Sequence, residues 1–474
     1  MLDDVTTPGA PGWWLLRLGQ RLTADRRRFD RLDRYHRGEH PLPFGNRKMR
    51  EAYKRLQQQS RSNYVGLVAE TLLERMKVTG FRAGGAATDA TDDKAWGWWQ
   101  ANKMDSNSGL VHRAAVVMSR AYVIVGDNGL GQPLVTGEDP RQVIHESDPA
   151  DRYSIRAALK VWADDVENRA FAVLYLPDTI HYYRSTVPLN NADTAWKPAT
   201  WDIDMSNDYA PFGVAVNTLG EVPVVPFVNR PDLAGGGLGE FEDVTDVQDR
   251  INTITLDLSV ISSMQAYRQR WVKGVDPEDD HGNPQTLFDP GADLLWVTPE
   301  DDAQFGEFGA TDLSPLIGAI DSSVQTLCAI TRCPPHYLIG QIVNVSGDAL
   351  AAAETGLVSK VAEREQEFGE SWEAVYRLAG KVLGVDVAQD AEVIWRDPQV
   401  RTLTEMAAAS VQLEAAGVPW RTRMFMLDKT PQEIDRMQAE RETDATLNAP
   451  IPVMPPPLAT SVHPPNNKIP TANV

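Results

Sequence analysis

The sequence predicts an α+β fold that is mainly helical, and three observations carry that expectation. Apolar residues recur at helical spacing over long stretches, above all 240–270 and 346–383. Strand-like runs cluster between Leu134 and Val228, and a glycine-rich break, Gly235-Gly236-Gly237, reads as a hinge between the two textures. Recurrence every three to four residues argues for helix, and short β-branched or aromatic runs bounded by turn residues argue for strand. At 474 residues the chain exceeds what one core holds, and 42% hydrophobic residues with 8% aromatic is ordinary globular composition.

The first sixty-two residues hold fourteen basic and seven acidic residues, against a chain at net charge -20. Much of this segment reads as helix, with Trp14, Leu15, Leu18 and Leu22 on one side. Its arginines, among them Arg26, Arg27, Arg28, Arg31, Arg34 and Arg37, read as a solvated face pairing with acids; contact with nucleic acid or an acidic partner is the sharper alternative. A second helix is expected from Asn63 to Thr79, ended by Gly80. Trp96, Trp98 and Trp99 read as core, followed by a helix through Leu110 to Met118 that runs into Tyr122-Val123-Ile124-Val125.

Ile155–Ala163, Ala170–Leu176 and Thr179–Arg184, separated by turn residues, read as an antiparallel meander. Val222–Phe227 closes it, and Pro223 and Pro226 place that segment at an edge.

Val244, Val247, Ile251, Ile254, Leu258 and Ile261 are spaced 3, 4, 3, 4, 3, a seam for lengthwise packing on another helix. A helix over 240–270 would be about 46 Å long. Glu240, Glu242, Asp243 and Asp246 fall in its first turns, where the helix dipole favours negative charge. From Ser314, with Pro315 at the first helical position, Ile317, Ile320, Val324 and Leu327 repeat the same spacing until Pro334-Pro335. These two helices form an antiparallel pair. Its tip is an insert with eleven acids between Val275 and Asp312 and no Lys or Arg: Asp276, Glu278, Asp279, Asp280, Asp289, Asp293, Glu300, Asp301, Asp302, Glu307 and Asp312. Leu294-Leu295-Trp296-Val297 reads as one short strand inside it.

A polar loop, Gly340 to Gly347, leads into a helix capped by Ser346 and running to about Leu383. Leu350, Leu357, Val361, Phe368, Trp372, Val375 and Val382 share one face, and Gly356 and Gly369 are sites for a kink. Two capping boxes follow, Thr402-x-x-Glu405 and Thr430-x-x-Glu433, with Gly417 ending the first of those helices. From Asn448 on, eight prolines in 27 residues with almost no charge describe an extended or disordered tail.

Several kinds of chemistry have no support in the sequence. No phosphate-binding loop or nucleophile elbow appears, and no helix carries a paired-histidine metal motif. Cys328, Cys333 and His336 match no zinc spacing and read as core, so neither metal nor cofactor is expected. Two cysteines point to a reducing compartment rather than a disulfide framework. No apolar run of membrane length and no signal-peptide pattern occur, so a soluble, unsecreted protein without a membrane partner is expected. The acidic balance argues against clamping nucleic acid by phosphate neutralisation.

Segments along the chain resemble one family in order: Tyr35-His36-Arg37-Gly38-Glu39-His40-Pro41-Leu42, Val78-Thr79-Gly80-Phe81-Arg82, Leu174-Tyr175-Leu176-Pro177-Asp178, Val222 through Pro231, Gln248-Asp249-Arg250-Ile251-Asn252 and Asn344 through Leu350. From about Arg31 to Glu442 the chain is similar to the portal proteins of tailed double-stranded DNA bacteriophages, especially those infecting actinobacteria. The resemblance implies a non-enzymatic ring, usually of twelve subunits, with wing, stem, clip and crown regions around a DNA channel. On that reading residues 1–239 are wing, 240–270 and 312–333 stem, 271–311 clip, 334–384 tunnel loop and long kinked wing helix, 385–447 crown and 448–474 tail. Gln341, Asn344, Val345, Ser346 and Gly347 would line the channel, and the acids of the insert, Asp276 to Glu307, would form the clip surface. The insert is shorter than the family's clip.

The implied partners are further copies of the chain, double-stranded DNA passing without sequence recognition, the large terminase ATPase, a head–tail adaptor, and the major capsid and scaffolding proteins. The implied location is one vertex of the virion capsid, with the host cytoplasm during assembly. Two other readings stay open: a helical capsid- or scaffold-associated assembly protein, and a metal-dependent transferase using Asp202 and Asp204. The helical seam, with no obvious third helix of the same chain to cover it, favours an oligomer over the enzyme.

Overall fold

Helix α1 (Pro11–His36) serves two cores. Its first half buries Trp14, Leu15, Leu18 and Leu22 against one face of a sheet, and its second half buries Phe29, Leu32 and Tyr35 among helices. Each large apolar side chain so buried contributes about 1.5–3 kcal/mol. A Cβ on Gly19 would fall inside the Trp196 indole, so the helix approaches the sheet closely there. The computed structural model describes residues 4–43, 54–84, 92–189, 196–206, 210, 212–266, 270–274, 302–307, 309, 311–339, 347–399, 403–427 and 429–447. Two compact units divide the chain, Met1–Thr402 and Leu403–Val474.

In the first unit α2 (Tyr64–Leu73) is capped by Asn63, whose side chain accepts from Gly66 N–H. The expected continuation to Thr79 does not occur. Val78–Arg82 is strand β1, pairing antiparallel with Glu392–Trp395 far along the chain, with a register shift between Val78 and Gly80. Gly80 therefore lies in an irregular strand rather than at a helix end. Helices α3 (Asp93–Ala101) and α4 (Met104–Met118) follow, and Asp92 caps α3 through Lys94 and Ala95 N–H.

Two antiparallel sheets follow, where the sequence suggested one meander. Strands β2 (Arg120–Asp127), β3 (Pro133–Glu138) and β10 (Val224–Val228) form a three-stranded sheet in the order β10-β2-β3. As expected for Val222–Phe227, β10 is an edge strand with β2 on one side only, but it belongs to this sheet and does not close the meander. Strands β4 (Val143–Ser147), β5 (Ile155–Asp164), β6 (Arg169–Tyr175), β7 (Thr179–Ser185), β8 (Trp201–Ile203) and β9 (Val214–Val216) form the second sheet. It runs β4-β5-β6-β7-β8, and β9 also pairs with β7. The three runs read as strands from sequence are β5, β6 and β7.

Helices α5 (Thr245–Ala266) and α6 (Ser314–Thr331) are joined through a short ladder of β11 (Arg270–Lys273) and β12 (Gln304–Glu307). The first is shorter than expected: 22 residues, about 33 Å. A 3₁₀ turn over Glu242–Val244 precedes it, so Glu240 lies ahead of the helix. At its other end Trp271 and Val272 join the ladder, where pairing outweighs helical continuation. In α6, Ser314 and Pro315 occupy the first turn and Leu313 the cap position. Asp312 accepts from Ser314 N–H.

After α7 (Pro335–Ile339), helix α8 (Gly347–Leu383) runs for 37 residues, continuous through Gly356 and Gly369. It forms the spine of the largest core: Leu357, Val361, Phe368, Trp372 and Val375 are fully buried. Trp372 stands edge-on to Trp99 and Phe227, with ring centroids 5.0 and 4.7 Å away, and its indole N–H donates to His112 Nε2 at 2.9 Å. Burial pushes His112 down to about 3, so its ring is neutral, and with Nε2 accepting from Trp372 the proton sits on Nδ1. A Cβ at Gly356 would meet nothing nearer than Arg332 Cβ at 3.9 Å. Gly356→Ala should therefore raise stability by about 0.5–1 kcal/mol, read as a higher denaturant midpoint. Strand β13 (Glu392–Trp395) closes the unit on β1.

The second unit holds α9 (Leu403–Ala415), α10 (Trp420–Met426) and α11 (Pro431–Leu447) around Met424, Leu427 and Ile434. Thr430 N–H donates to Glu433 Oε2 and Glu433 N–H to Thr430 Oγ1, the reciprocal cap expected there. Thr402 and the tail from Asn448 lie outside the described residues.

Candidate functional site at the root of the helical hairpin

The feature that sets this fold apart is the α5–α6 hairpin, whose two ends at the tip are joined by the β11–β12 ladder and by Gln265 Nε2 donating to the Thr311 carbonyl. Of the seam expected from sequence, Val244, Ile251, Val324 and Leu327 are buried, and Val247 and Ile320 pack against the core. Ile254, Leu258 and Ile261 are only half-buried, and Ile317 is 50% exposed. Buried positions Leu256 and Val260 take over along α5. A 3.6-residue turn drifts away from a strict seven-residue repeat, so the buried face of α5 moves off the seam along its length.

Near the root, α5 is fixed by a buried hydrogen-bond network. Gln248 Oε1 accepts from Tyr64 and Val65 N–H at 3.0 and 3.2 Å, capping α2 from a distance, and its amide N–H donates to Asn252 Oδ1 and the Ser62 carbonyl. Asn252 Oδ1 also accepts from Ser62 N–H, and its Nδ2 lies 3.0 Å from His40 Nδ1. Burial lowers the His40 pKa, and a neutral ring accepting at Nδ1 donates from Nε2 to the Tyr35 carbonyl at 3.1 Å. The Tyr35 hydroxyl donates to Asp249 Oδ2 at 2.7 Å. Segments 35–42 and 248–252, two of those that carry the family resemblance, thus meet in one network.

On the other side the root is held by charge. Glu240 Oε1 lies 3.1 Å from Lys360 Nζ, and Glu240 Oε2 lies 3.3 Å from Arg364 Nε. The Lys360 ammonium also donates to the Thr331 carbonyl at 2.7 Å, at the last residue of α6. The three charged side chains are 4%, 4% and 5% exposed. Burial works against ionisation of Glu240, but Lys360 and Arg364 hold it below the usual carboxylate range. A cavity of about 340 Å³ opens beside this cluster, lined in part by Arg230, Leu238, Ile330, Arg332 and Glu363. One residue further along α8, Glu365 is buried, one of its oxygens is unpartnered, and burial with nearby Asp397 pushes its carboxyl up to about 8.

The family description "phage portal protein, SPP1 Gp6-like" matches residues 16–447, which spans both units. The chain belongs to this family of phage portal proteins. It is 30% identical to the portal protein of Mycobacterium phage L5 over 410 residues, covering 81% of this chain and 79% of the relative. With the portal protein of Mycobacterium phage D29 it shares 31% identity over 390 residues, covering 76% and 75%. The role is therefore that of a phage portal protein, a structural and not a catalytic part of the virus.

For a portal protein the informative question is which residues the fold brings together. Of the acidic insert, Asp302, Glu307 and Asp312 are described; Asp276, Glu278, Asp279, Asp280, Asp289, Asp293, Glu300 and Asp301 lie outside the described residues, as does the strand expected at Leu294–Val297. Gln341, Asn344, Val345 and Ser346 also lie outside them, and Gly347 opens α8. Asp202 sits on β8 opposite Arg184, while Asp204 accepts from Ser206. Among the described residues no group of three or more His, Cys, Asp or Glu is arranged to hold a metal ion.

Cys328 and Cys333 are free, buried and part of the main core, where burial pushes Cys328 up to about 11. Arginines of α1 and its C-cap pair within the chain: Arg28 with Glu242, Arg21 with Glu146 and the C-cap Arg37 with Asp33. No helix among the described residues is long and apolar enough to cross a membrane. Sequence reasoning missed Gln248, Asn252, His40, Lys360 and Arg364 as structural partners. The order of resembling segments had marked three of these five without giving their role.

Proposed function

We propose that this portal protein assembles into a ring, of about twelve copies by family analogy, whose α5–α6 hairpins form the stem of a channel for double-stranded DNA. The observation that carries the reading is the half-exposed seam Ile254, Leu258 and Ile261 with exposed Ile317, an apolar stripe that the described elements leave open. A neighbouring hairpin is the natural cover. Residues 1–239 then act as wing, 240–270 and 312–333 as stem, 271–311 as clip, 334–384 as tunnel loop and wing helix bent at Gly356, Gly369 or both, and 385–447 as crown. Gln341, Asn344, Val345, Ser346 and Gly347 line the narrowest part of the channel. The acids from Asp276 to Glu307 keep the clip wall anionic, so that passing DNA gains no counterion-release energy that would hold it.

The ring sits at one capsid vertex among the major capsid and scaffolding proteins, having assembled in the host cytoplasm. It docks the large terminase during packaging and a head–tail adaptor afterwards, and neither step calls for a metal, a cofactor or intrinsic catalysis.

Negative-stain imaging and mass photometry of the purified chain test the ring directly. Rings are expected for the natural sequence, and a Leu258→Asp, Ile261→Asp variant should give monomers, because two carboxylates would be buried without partners. Rings of unchanged size from that variant would remove the hairpin from the subunit interface, and a natural chain that stays monomeric in every buffer would remove the ring itself.

A further inference from the structure

We propose that Glu240, Lys360 and Arg364 form a buried clasp through which the helical hairpin and the N-terminal third of α8 move as one body. The inference rests on the fold of one chain and does not require the ring. Both ends of the hairpin root converge on one turn of α8. Glu240 leads into α5, the Thr331 carbonyl ends α6, and the single ammonium of Lys360 bonds to both, at 3.1 and 2.7 Å. Arg364, one turn further on, takes the second Glu240 oxygen at 3.3 Å, and Asn229 Nδ2 approaches that same oxygen at 3.4 Å. Apolar neighbours slide past one another at small cost. Arg364 is also held by Glu367 of its own helix at 3.1 Å, so it is the sealed Glu240 carboxylate that a small displacement of the hairpin would strand without its cations.

The chain reversals that bring Glu240 and Thr331 to the clasp carry the second observation. Arg230, which opens the loop leading to Glu240, and Arg332, which follows Thr331, both hold left-handed backbone, at φ 50° and 52°. Non-glycine residues stay in that region only where their surroundings over-determine them. Both arginines line the cavity beside the clasp. Arg230 is tied to Asp243 at 2.7 Å, and Arg332 reaches Glu363 at 4.0 Å.

The third observation concerns the described side chains of α8 ahead of the clasp. Residues 352, 353, 355 and 356 are exposed, and from residue 352 onward Leu357 is the first fully buried side chain. Glu354 supplies a second hold, on Arg75 at 3.2 Å and on the Tyr337 hydroxyl at 3.3 Å. The clasp is thus the direct link from the hairpin to 347–359, and Glu354, which reaches other helices, is the competing route.

Hydrogen exchange of the full chain separates the two routes. Leu256→Ala perturbs the hairpin away from the clasp. In the natural background it should speed amide exchange over 347–359 by about tenfold. In a Glu240→Leu, Lys360→Met, Arg364→Met background, where apolar side chains replace the charges, the same perturbation should change 347–359 by less than about twofold. An equal response in both backgrounds assigns the coupling to the Glu354 route and overturns the proposal, as does no response in the natural background. Should the triple variant fail to give the natural near-ultraviolet circular dichroism, Glu240→Asp replaces it. One methylene shorter, Asp cannot reach both cations, and the response should drop at least about threefold; an undiminished response overturns the proposal equally.

Discussion

Glu365→Gln should stabilise the folded chain at pH 7 by about 3 kcal/mol. Glu365 is 6% exposed in the middle of α8, one of its oxygens is unpartnered, and burial with Asp397 pushes its carboxyl up to about 8. The unfolded chain releases that proton near 4.5, so from pH 4.5 to about 8 the folded state binds the extra proton. Stability is lost as pH rises through this window, by about 1.4 kcal/mol per pH unit. Glutamine has nearly the same shape and never ionises. The gap between variant and natural chain should therefore widen from pH 4.5 to about 8 and then stay constant.

His112 has the opposite sign. Its folded value of about 3, set by burial, lies below the unfolded 6.5, so its contribution is complete above 6.5 and is lost as pH falls toward 3. His145, pushed down by burial and by Arg120 and Arg21, adds in the same direction, though its partly exposed ring leaves that share screened. Between 4.5 and 6.5 the Glu365 and His112 contributions oppose each other, and Glu365→Gln should uncover the histidine slope. Urea unfolding at pH 5, 6, 7 and 8 measures all of this. A stability difference that does not vary with pH would mean that the Glu365 carboxyl is not shifted.

Trp372→Ala should cost about 3–5 kcal/mol for the lost indole and the cavity it leaves. A further 1–3 kcal/mol, roughly, comes from His112 Nε2 losing its donor in a dry site. The indole is fully buried, packs edge-on to Trp99 and Phe227, and joins α8 to α3, α4 and β10 at one point. Trp372→Phe keeps a ring in place and removes the N–H, so it should fall between the two. Thermal and denaturant unfolding give the sizes. A loss under about 1 kcal/mol for the alanine variant would mean that the aromatic cluster closes over the gap, against the close packing described above.

Strands β5, β6 and β7 were legible because their β-branched and aromatic runs are bounded by turn residues, and helix α8 because its stripe persists over ten turns. Local pattern gave no sign of β1 or β11. Each is short, and each is a strand only through pairing with residues beyond its own neighbourhood: Glu392–Trp395 for β1 and Gln304–Glu307 for β11. The hairpin root was hidden for the same reason. Gln248 and Asn252 on a helix read as solvent-facing polar residues, and their burial depends on Ser62 and His40, 186 and 212 positions away. Glu240 read as an acid in a first helical turn, whereas it precedes the helix and meets Lys360 and Arg364 in the core. Polar residues reveal their function only once the fold has placed their partners.

The span between α1 and the hairpin also sets a clock on synthesis. Tyr35 waits for Asp249 and Arg28 for Glu242, each 214 positions later. At about 5–20 residues per second, the Phe29–Leu32–Tyr35 face emerges from the ribosome about 10–40 s before the residues that lock it. The other half of the same helix docks on a sheet that is complete once β8 and β9 have been made. A nascent chain halted before residue 240 should hold α1 already covered by α2, α4 and the sheet, yet without its two side-chain bonds to the hairpin, a helix packed but not locked.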